Sequence, residues 1–189
     1  MNPIQLPPAA PELTTHGLCL RPWQDSDADA LHEAVGESIA SVGRWLPWCH
    51  AGYGREDAVA WIAHCRASWA ASTQFAFGIF DAASGVLLGS AGLSECNRPQ
   101  RGANLGYWVR ESRQRQGVAV AAAIRLARFG FEQCGLIRIE IVVLPDNRAS
   151  RRTAEKTGAK FESIARQRLW KNEQALDAAV YALIPDDLR

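Results

Sequence analysis

The sequence predicts an α+β fold in which a mixed, mostly antiparallel sheet is flanked by helices. The apolar period changes along the chain from helical spacing to strand alternation, and strands and helices follow one another in mixed order rather than in separate blocks. A length of 189 residues, 48% hydrophobic and 22% charged, suits one sizeable core. We therefore expect a single domain over residues 16–189, preceded by a proline-rich arm over residues 1–15.

The first half of the chain predicts helices before a hairpin. In order, we expect a strand at 16–23, a helix capped by Asp25-Ser26-Asp27, a broken helical segment at 38–48 ended by Pro47, a helix at 56–71, and strands at 74–80 and 86–93. Residues 81–85, Asp-Ala-Ala-Ser-Gly, are typical of the turn that joins two antiparallel strands. A polar loop follows at 97–102.

The second half predicts strands that alternate with helices. In order, we expect a strand at 105–109, a turn at 114–119, an alanine-rich helix to about residue 134, a strand at 137–143, a helix that opens at 145–150 and stops at Gly158, and a closing hairpin of 161–170 and 175–183.

Charge and cysteine content exclude several classes of protein. A net charge of +1 offers no general attraction for nucleic acid or for a membrane surface. The five cysteines are scattered, odd in number and form no CxxC pair, which argues against a disulfide framework and a structural zinc site; we expect no metal. The N-terminus lacks the features of a signal peptide and no apolar run could span a bilayer, so we expect a cytoplasmic protein.

The turn at 114–119, Gln-Arg-Gln-Gly-Val-Ala, predicts an anion-binding site. The first N–H groups of a helix have no partner within it, and the helix dipole adds about half a positive charge there. Gly117 and Ala119 keep side chains small where a ligand would approach the backbone. A dinucleotide fold would need three glycines and a P-loop a Gly-Lys-Ser/Thr, and neither is present. A plain glycine turn with solvated arginines is the alternative.

Several further motifs, in order, make the chain resemble the GNAT acetyltransferases. The motifs are Leu20-Arg21-Pro22-Trp23, Arg44-Trp45-Leu46-Pro47-Trp48, Gly106-Tyr107-Trp108-Val109, the loop motif at Gln114, Gly117 and Ala119, Asn147-x-x-Ser150, Glu155-Lys156-x-Gly158 and Asp177 with Tyr181. They extend from about residue 18 to residue 183 and are most similar to the branch that acetylates N-termini of ribosomal proteins. The resemblance implies a GNAT fold and acetyl-CoA as co-substrate.

The resemblance also implies where acetyl-CoA binds. Amides of the loop would face the pyrophosphate, and N–H groups of the strand at 105–109 would hold the thioester oxygen. The residues expected at acetyl-CoA are Leu105, Tyr107, Val109, Gln114, Arg115, Gln116, Gly117, Val118, Ala119, Asn147, Ser150 and Lys156.

Ser150 is the expected partner of the leaving thiolate. Members of the resembling family often place a tyrosine seven residues after the Asn, but Ala154 occupies that position here. A thiol leaving group has a pKa near 8.5 and hardly requires an acid stronger than serine. Helix capping by Asn147, with Ser150 as a structural residue, is the alternative.

The general base is harder to identify, because Asn104 stands where relatives commonly carry a glutamate. Asn104 can orient the incoming amine or a water but cannot take its proton. Glu95 and Glu140 are the nearest carboxylates along the chain, although either is also typical of a surface acid. Deprotonating an α-amine at pH 7 costs about 1 kcal/mol, whereas a lysine amine costs about 4.6 kcal/mol. A weak base therefore favours an α-amine as acceptor.

The acceptor is expected to lie against Trp45 and Trp48, with the loop at 96–102 and the hairpin near 168–170 nearby. Core packing is the alternative for both tryptophans. We expect direct acetyl transfer to a protein N-terminus; the alternatives are a small-molecule amine (antibiotic, polyamine or amino acid) and a non-catalytic acyl-CoA sensor. The resemblance is compatible with a homodimer, although no heptad or apolar stripe argues for one.

Overall fold

The computed structural model describes residues 11–189, and within this range the chain forms eight strands and four α-helices. The strands are β1 (Leu13–Thr15), β2 (Leu18–Pro22), β3 (Phe75–Asp81), β4 (Leu87–Asn97), β5 (Gly102–Val109), β6 (Arg138–Val143), β7 (Lys160–Lys171) and β8 (Gln174–Leu183). The helices are α1 (Ala28–Gly36), α2 (Arg55–Ala71), α3 (Val118–Glu132) and α4 (Arg148–Lys156). The predicted α+β class is confirmed.

All eight strands belong to one sheet, in the order β1-β2-β3-β4-β5-β6-β8-β7. Among the described residues, β5 and β6 form the one parallel pair, and every other neighbouring pair is antiparallel. A parallel pair requires a crossover between its strands, and α3 supplies it. The sheet is therefore mixed only at its centre, between β5 and β6.

Helices cover both faces of the sheet. On one face, α3 buries Ala122, Ala123, Leu126 and Phe129, whose spacing gives a helix one apolar stripe. Phe129 packs edge-on against Phe77 of β3, with ring centroids 5.4 Å apart. On the other face, α1 and α2 form a second apolar cluster with side chains of β3 and β4. The sheet thus separates two cores.

Three sequence predictions need correction or comment. The predicted strand at 16–23 is present as β2 but begins only at Leu18, because His16 and Gly17 have positive φ and form the turn between β1 and β2. The predicted helical segment at 38–48 is a succession of hydrogen-bonded turns, in which N–H groups bond carbonyls three or four residues back without helical continuity. Of the predicted arm, residues 1–10 lie outside the described residues and Leu13–Thr15 form β1.

No helix within residues 11–189 is both long enough and apolar enough to cross a bilayer.

Candidate active site

The centre of the sheet opens where β5 and β6 separate. The two strands pair only from Gly102 with Arg138 to Asn104 with Glu140. Beyond this point β5 stays with β4 as far as Val109, while β6 stays with β8. The remainder of β5 therefore borders a gap instead of a neighbouring strand.

Backbone groups of β5 face this gap. Beyond the strand, the Arg110 N–H donates to the Leu88 carbonyl on the β4 side, at 2.8 Å. The Val109 carbonyl accepts from the Gln114 side chain on the other side, at 3.1 Å. Because successive strand residues direct their N–H and C=O groups to opposite edges, Leu105 and Tyr107 direct theirs, like Val109, into the gap. The residues predicted to hold a thioester oxygen thus lie on the open edge.

The loop of residues 110–119, called the anion loop below, connects β5 to the first turn of α3 and contains the predicted turn at 114–119. Arg115 has φ +61° and Gly117 φ +81°, so the chain turns twice in the left-handed region before α3 begins at Val118. Gly117, at the N-cap position, has no side chain that could cap α3, and the first turn of the helix has no acidic residue. Successive amides in such a turn, next to a helix N-terminus, form an anion-binding concavity. Gln116, Val118 and Ala119 lie in this stretch as the sequence predicts.

Side chains from the opposite face of the sheet fix this loop. The Gln114 amide donates to Ser41 Oγ at 3.2 Å as well as to Val109 O, so its side chain turns inward. Glu37 accepts from the Ser112 N–H at 3.1 Å and from the Ser112 hydroxyl at 2.8 Å. The loop is therefore anchored to α1 and to the turns that follow it.

Arg110 provides the strongest of these anchors. Its guanidinium is buried and donates to Glu37 at 2.8 and 2.6 Å and to Glu33 at 2.7 Å. These hydrogen bonds raise the pKa of Arg110 further above its ordinary value and hold the pKa of Glu37 at about 2. Nothing in the sequence pattern indicated this cluster, because Glu37 and Arg110 are far apart along the chain.

Ser150 lies at the gap on the face covered by α3 and α4. Asn147 caps α4 by accepting the Ser150 N–H at 3.1 Å, so the predicted cap is present. The Ser150 hydroxyl is 3.2 Å from the Tyr107 hydroxyl. Burial is the main cause that raises the pKa of Tyr107 to about 12. Sequence analysis predicted a role for the backbone N–H of Tyr107 in this strand. It did not predict the contact of the Tyr107 side chain with Ser150.

Ala154 and Lys156, further along α4, differ in their surroundings. Ala154 is fully buried in the core on this face, so its side chain belongs to packing. Lys156 is exposed in the last turn of the helix. It lies on an accessible surface, as a contact with a phosphate would require.

On the opposite face of the sheet, next to the point where β5 and β6 separate, lies a cavity of about 290 Å³, whose lining includes Glu95, Asn104, Arg138 and Glu140. The Asn104 Oδ1 atom is buried and accepts no hydrogen bond from the described residues. Glu140 is bound by Arg138 at 2.9 Å, and Glu95, in a bulge of β4, is bound by Arg168 at 3.1 Å. The structure therefore brings together the three polar residues considered for the base, but arginines hold both carboxylates.

Aromatic side chains continue this face beyond Asn104. Trp108 of β5 meets Trp48 edge-on, with ring centroids 5.5 Å apart, and Trp48 remains 39% exposed. Trp45 is half-buried beneath the Arg44 guanidinium. Between Asn104 and Trp108, a Cβ added to Gly106 would meet no atom of residues 11–189 within 4 Å. Space is thus available beside the open edge of β5, next to the aromatic wall formed by Trp48 and Trp108.

The β7–β8 hairpin borders the same face. Lys171 Nζ donates to the Arg44 carbonyl at 2.6 Å, and Arg168 reaches Glu95. These two contacts bring the three predicted acceptor segments into one region. The gap thus has a helix N-terminus and a serine on one face, and a polar cavity with an aromatic wall on the other. Such a site can hold a phosphate-bearing ligand and a second molecule that meet at β5.

Comparisons with known proteins show what the chain is similar to. A family model described as "Acetyltransferase (GNAT) domain" matches residues 17–160. "Uncharacterized N-acetyltransferase YoaA" of Bacillus subtilis (strain 168) is 29% identical over 180 residues, 92% of this chain and 97% of the relative. "Putative ribosomal N-acetyltransferase YdaF" of the same strain is 27% identical, over 88% of this chain and 91% of the relative. A solved structure described as "a putative ribosomal-protein-serine acetyltransferase from Vibrio cholerae" is 29% identical with a TM-score of 0.83, over 92% of this chain and 97% of that one.

Proposed function

The chain belongs to the GNAT acetyltransferase family, as its sequence predicts, and we propose that it transfers an acetyl group from acetyl-CoA to the N-terminal α-amine of a protein. The observation that carries this proposal is the gap between β5 and β6. It joins the anion loop and Ser150 on one face to the Asn104 cavity and the tryptophans on the other. Two substrates that enter from opposite faces would meet at the free backbone edge of β5.

Acetyl-CoA would occupy the face covered by α3 and α4. The amides of residues 115–119 would bind its pyrophosphate, since they lie in a left-handed turn at an uncapped helix N-terminus. The pantetheine would follow the edge of β5 that faces the gap. An N–H group of Leu105, Tyr107 or Val109 would then donate to the thioester oxygen, where negative charge develops during attack.

The acceptor would enter from the other face, through the space beside Gly106. The Asn104 side chain would turn toward this space, so that its Oδ1 atom, which accepts no hydrogen bond from the described residues, accepts one from the incoming amine. Trp48 and Trp108 would contact the residues that follow the N-terminus. Much of the rate would come from holding the amine in line with the thioester carbon.

The weak base favours an α-amine over a lysine. Asn104 cannot take a proton, and Glu95 and Glu140 are each bound by an arginine. Deprotonating an α-amine at pH 7 costs about 1 kcal/mol, against about 4.6 kcal/mol for lysine. Water can then carry the proton of an α-amine away to the solvent. Two of the compared proteins are also described as ribosomal-protein acetyltransferases.

One observation favours a small cationic acceptor instead. The cavity beside Asn104 is lined by two carboxylates, those of Glu95 and Glu140, and its volume suits a small amine. Their charges are matched by Arg138 and Arg168, which leaves little net attraction for a polyamine or an aminoglycoside. The protein N-terminus therefore remains the better candidate.

The absence of a base at Asn104 is also what a non-catalytic sensor would show. Turnover of acetyl-CoA distinguishes an enzyme from such a sensor.

The test is release of free thiol from acetyl-CoA with a panel of acceptors. Peptides that begin with Ala, Ser or Met would be compared with α-amine-blocked peptides, a polyamine and an aminoglycoside. We expect turnover on the free N-terminal peptides, and a loss of about tenfold in kcat/KM for the peptide in Asn104→Ala, with KM for acetyl-CoA unchanged. Turnover on small amines alone would reject the protein acceptor, and acetyl-CoA binding without any turnover would identify a sensor.

A further inference from the structure

The hydroxyls of Tyr107 and Ser150 form a pair whose two protons can be counted. Tyr107 Oη lies 3.0 Å from the Ser150 carbonyl oxygen and 3.2 Å from Ser150 Oγ. Tyr107 has one proton to donate, and Ser150 offers it two acceptors within hydrogen-bond distance; the Thr153 hydroxyl also lies near Tyr107 Oη. Ser150 Oγ has one proton, and among residues 11–189 its polar contact is Tyr107. Where the tyrosine proton points therefore decides where the serine proton can point.

Two arrangements follow from this count. If Tyr107 donates to the Ser150 carbonyl, Ser150 donates back to Tyr107 Oη, and both protons are used inside the pair. If Tyr107 donates to Ser150 Oγ, the serine proton is released to point into the gap. The Ser150 carbonyl keeps a partner in the second arrangement, because the geometry of an α-helix pairs it with the N–H four residues later.

We propose that Tyr107 is a positioning residue that directs the hydrogen bond donated by the Ser150 hydroxyl toward the sulfur of the departing CoA. This inference rests on the proposed acetyl transfer but not on the identity of the acceptor. Acetyl-CoA bound along β5 would bring its sulfur to Ser150, and the pair would change to the second arrangement. A chain in which each hydroxyl donates to the next group is also polarised along its length, so Tyr107 strengthens the bond that Ser150 donates.

Neither hydroxyl is consumed in the step. The C–N bond forms, the C–S bond breaks, and its electron pair goes to sulfur, where the negative charge accepts the Ser150 hydrogen bond. The proton lost by the amine nitrogen ends on the sulfur, directly or through water. Tyr107 stays protonated throughout, consistent with a burial that raises its pKa to about 12. Its contribution is a hydrogen bond and not a proton.

Tyr181 provides a control that distinguishes the proposed hydrogen bond from Tyr107 to Ser150 from a purely structural role of the Tyr107 hydroxyl. Its hydroxyl also contacts α4, where it accepts from Arg151 at 2.9 Å and donates to Glu155 at 3.0 Å, but it does not reach Ser150. Tyr107→Phe and Tyr181→Phe therefore both remove a tyrosine hydroxyl that contacts the same helix. Only the first removes a donor to the serine.

The test is a double-mutant cycle on kcat, with Tyr107→Phe, Ser150→Ala, the double variant and Tyr181→Phe as control. We expect Tyr107→Phe to lower kcat about three- to tenfold with KM for acetyl-CoA unchanged. The double variant should be no slower than Ser150→Ala, and Tyr181→Phe should keep the wild-type kcat. Equal losses from Tyr107→Phe with and without Ser150, a higher KM alone, or an unchanged kcat would each overturn the proposal.

A second measurement needs no acceptor and remains informative if the proposed acceptor is wrong. The thiol of bound CoA would be titrated by the ultraviolet absorbance of its thiolate. We expect Tyr107→Phe and Ser150→Ala each to raise the pKa of the bound thiol by about 1, as loss of a charge-assisted hydrogen bond requires. A wild-type thiol with the pKa of free CoA, or a Tyr107→Phe thiol like the wild type, would contradict the proposed hydrogen bond.

Discussion

Glu37, just beyond α1, and Arg110, just beyond β5, form a bidentate ion pair with N–O distances of 2.8 and 2.6 Å. The same Glu37 carboxylate accepts both Ser112 contacts at the start of the anion loop. One carboxylate from the face of α1 therefore holds the end of the strand that borders the gap and the beginning of the loop proposed to bind pyrophosphate. Stability and acetyl-CoA binding should depend on it together.

The first prediction concerns Glu37→Gln. The change removes the charge that compensates a buried guanidinium, so we expect the free energy of unfolding to fall by about 1–3 kcal/mol. KM for acetyl-CoA should rise severalfold because the loop loses its anchor. Urea denaturation and steady-state kinetics measure both effects. Glu33→Gln is the matched control: Glu33 contacts the same guanidinium, but its side chain is 73% exposed, and an exposed pair contributes about 0–1 kcal/mol. Equal losses in the two variants would contradict the anchor.

The second prediction is a pH dependence of stability. Arg110 lowers the pKa of Glu37 in the folded protein from its ordinary 4.5 to about 2. The folded state thus favours the ionised carboxylate, so its stabilising contribution is complete above pH 4.5 and is lost as the pH falls from 4.5 to 2. We expect the stability difference between wild type and Glu37→Gln to shrink over this range in denaturation at pH 5, 4 and 3. A constant difference would show that the ion pair is not its source.

The third prediction uses two glycines in the same conformation. Gly117 in the anion loop has φ +81° and Gly85 in the β3–β4 turn has φ +72°, and an added Cβ would meet no atom within 4 Å at either. Alanine at either position should cost about 1–2 kcal/mol of stability through backbone strain alone. Only Gly117→Ala should also raise KM for acetyl-CoA, because it disturbs the amides of the loop. A similar rise in Gly85→Ala would mean that the effect is global.

The fourth prediction concerns the aromatic wall. Trp48 on the acceptor face and Trp61 on α2 are 39% and 37% exposed, so they are matched in type and accessibility. We expect Trp48→Ala to raise KM for an N-terminal peptide about tenfold, the loss of one well-buried aromatic contact, and Trp61→Ala to leave it unchanged. Peptide kinetics at saturating acetyl-CoA measure this. If the two variants had the same KM for the peptide, the peptide would not bind against Trp48.

Local patterns were sufficient to predict most of the fold and part of the site. The strand at β5, the glycine turn and the helix α3 are consecutive in the chain, and the order of residue types alone indicated an anion site there. The cap of α4, in which Asn147 accepts the Ser150 N–H, was predicted for the same reason, since the two residues are three positions apart. The predicted hairpin of β7 and β8 also follows from local alternation and a short turn.

What the sequence could not predict depends on residues that are distant along the chain. The inward turn of the Gln114 side chain requires Ser41, and the hydroxyl contact of Tyr107 requires Ser150. A β-bulge places Glu95 beside the Asn104 cavity, and an extra residue in a strand leaves no signal in a two-residue period. The segment at 38–48 has helical composition but forms a succession of turns in the part of the chain that connects α1 to α2.

The most direct measurement is to locate the acetyl group on one peptide that offers both kinds of amine. A peptide with a free N-terminal serine and an internal lysine would be incubated with the protein and acetyl-CoA, and the modified residue identified by fragment-ion mass spectrometry. We expect acetylation of the serine α-amine with the lysine unmodified. Acetylation of the lysine, or no acetylation of a peptide beside rapid turnover of a polyamine, would contradict it.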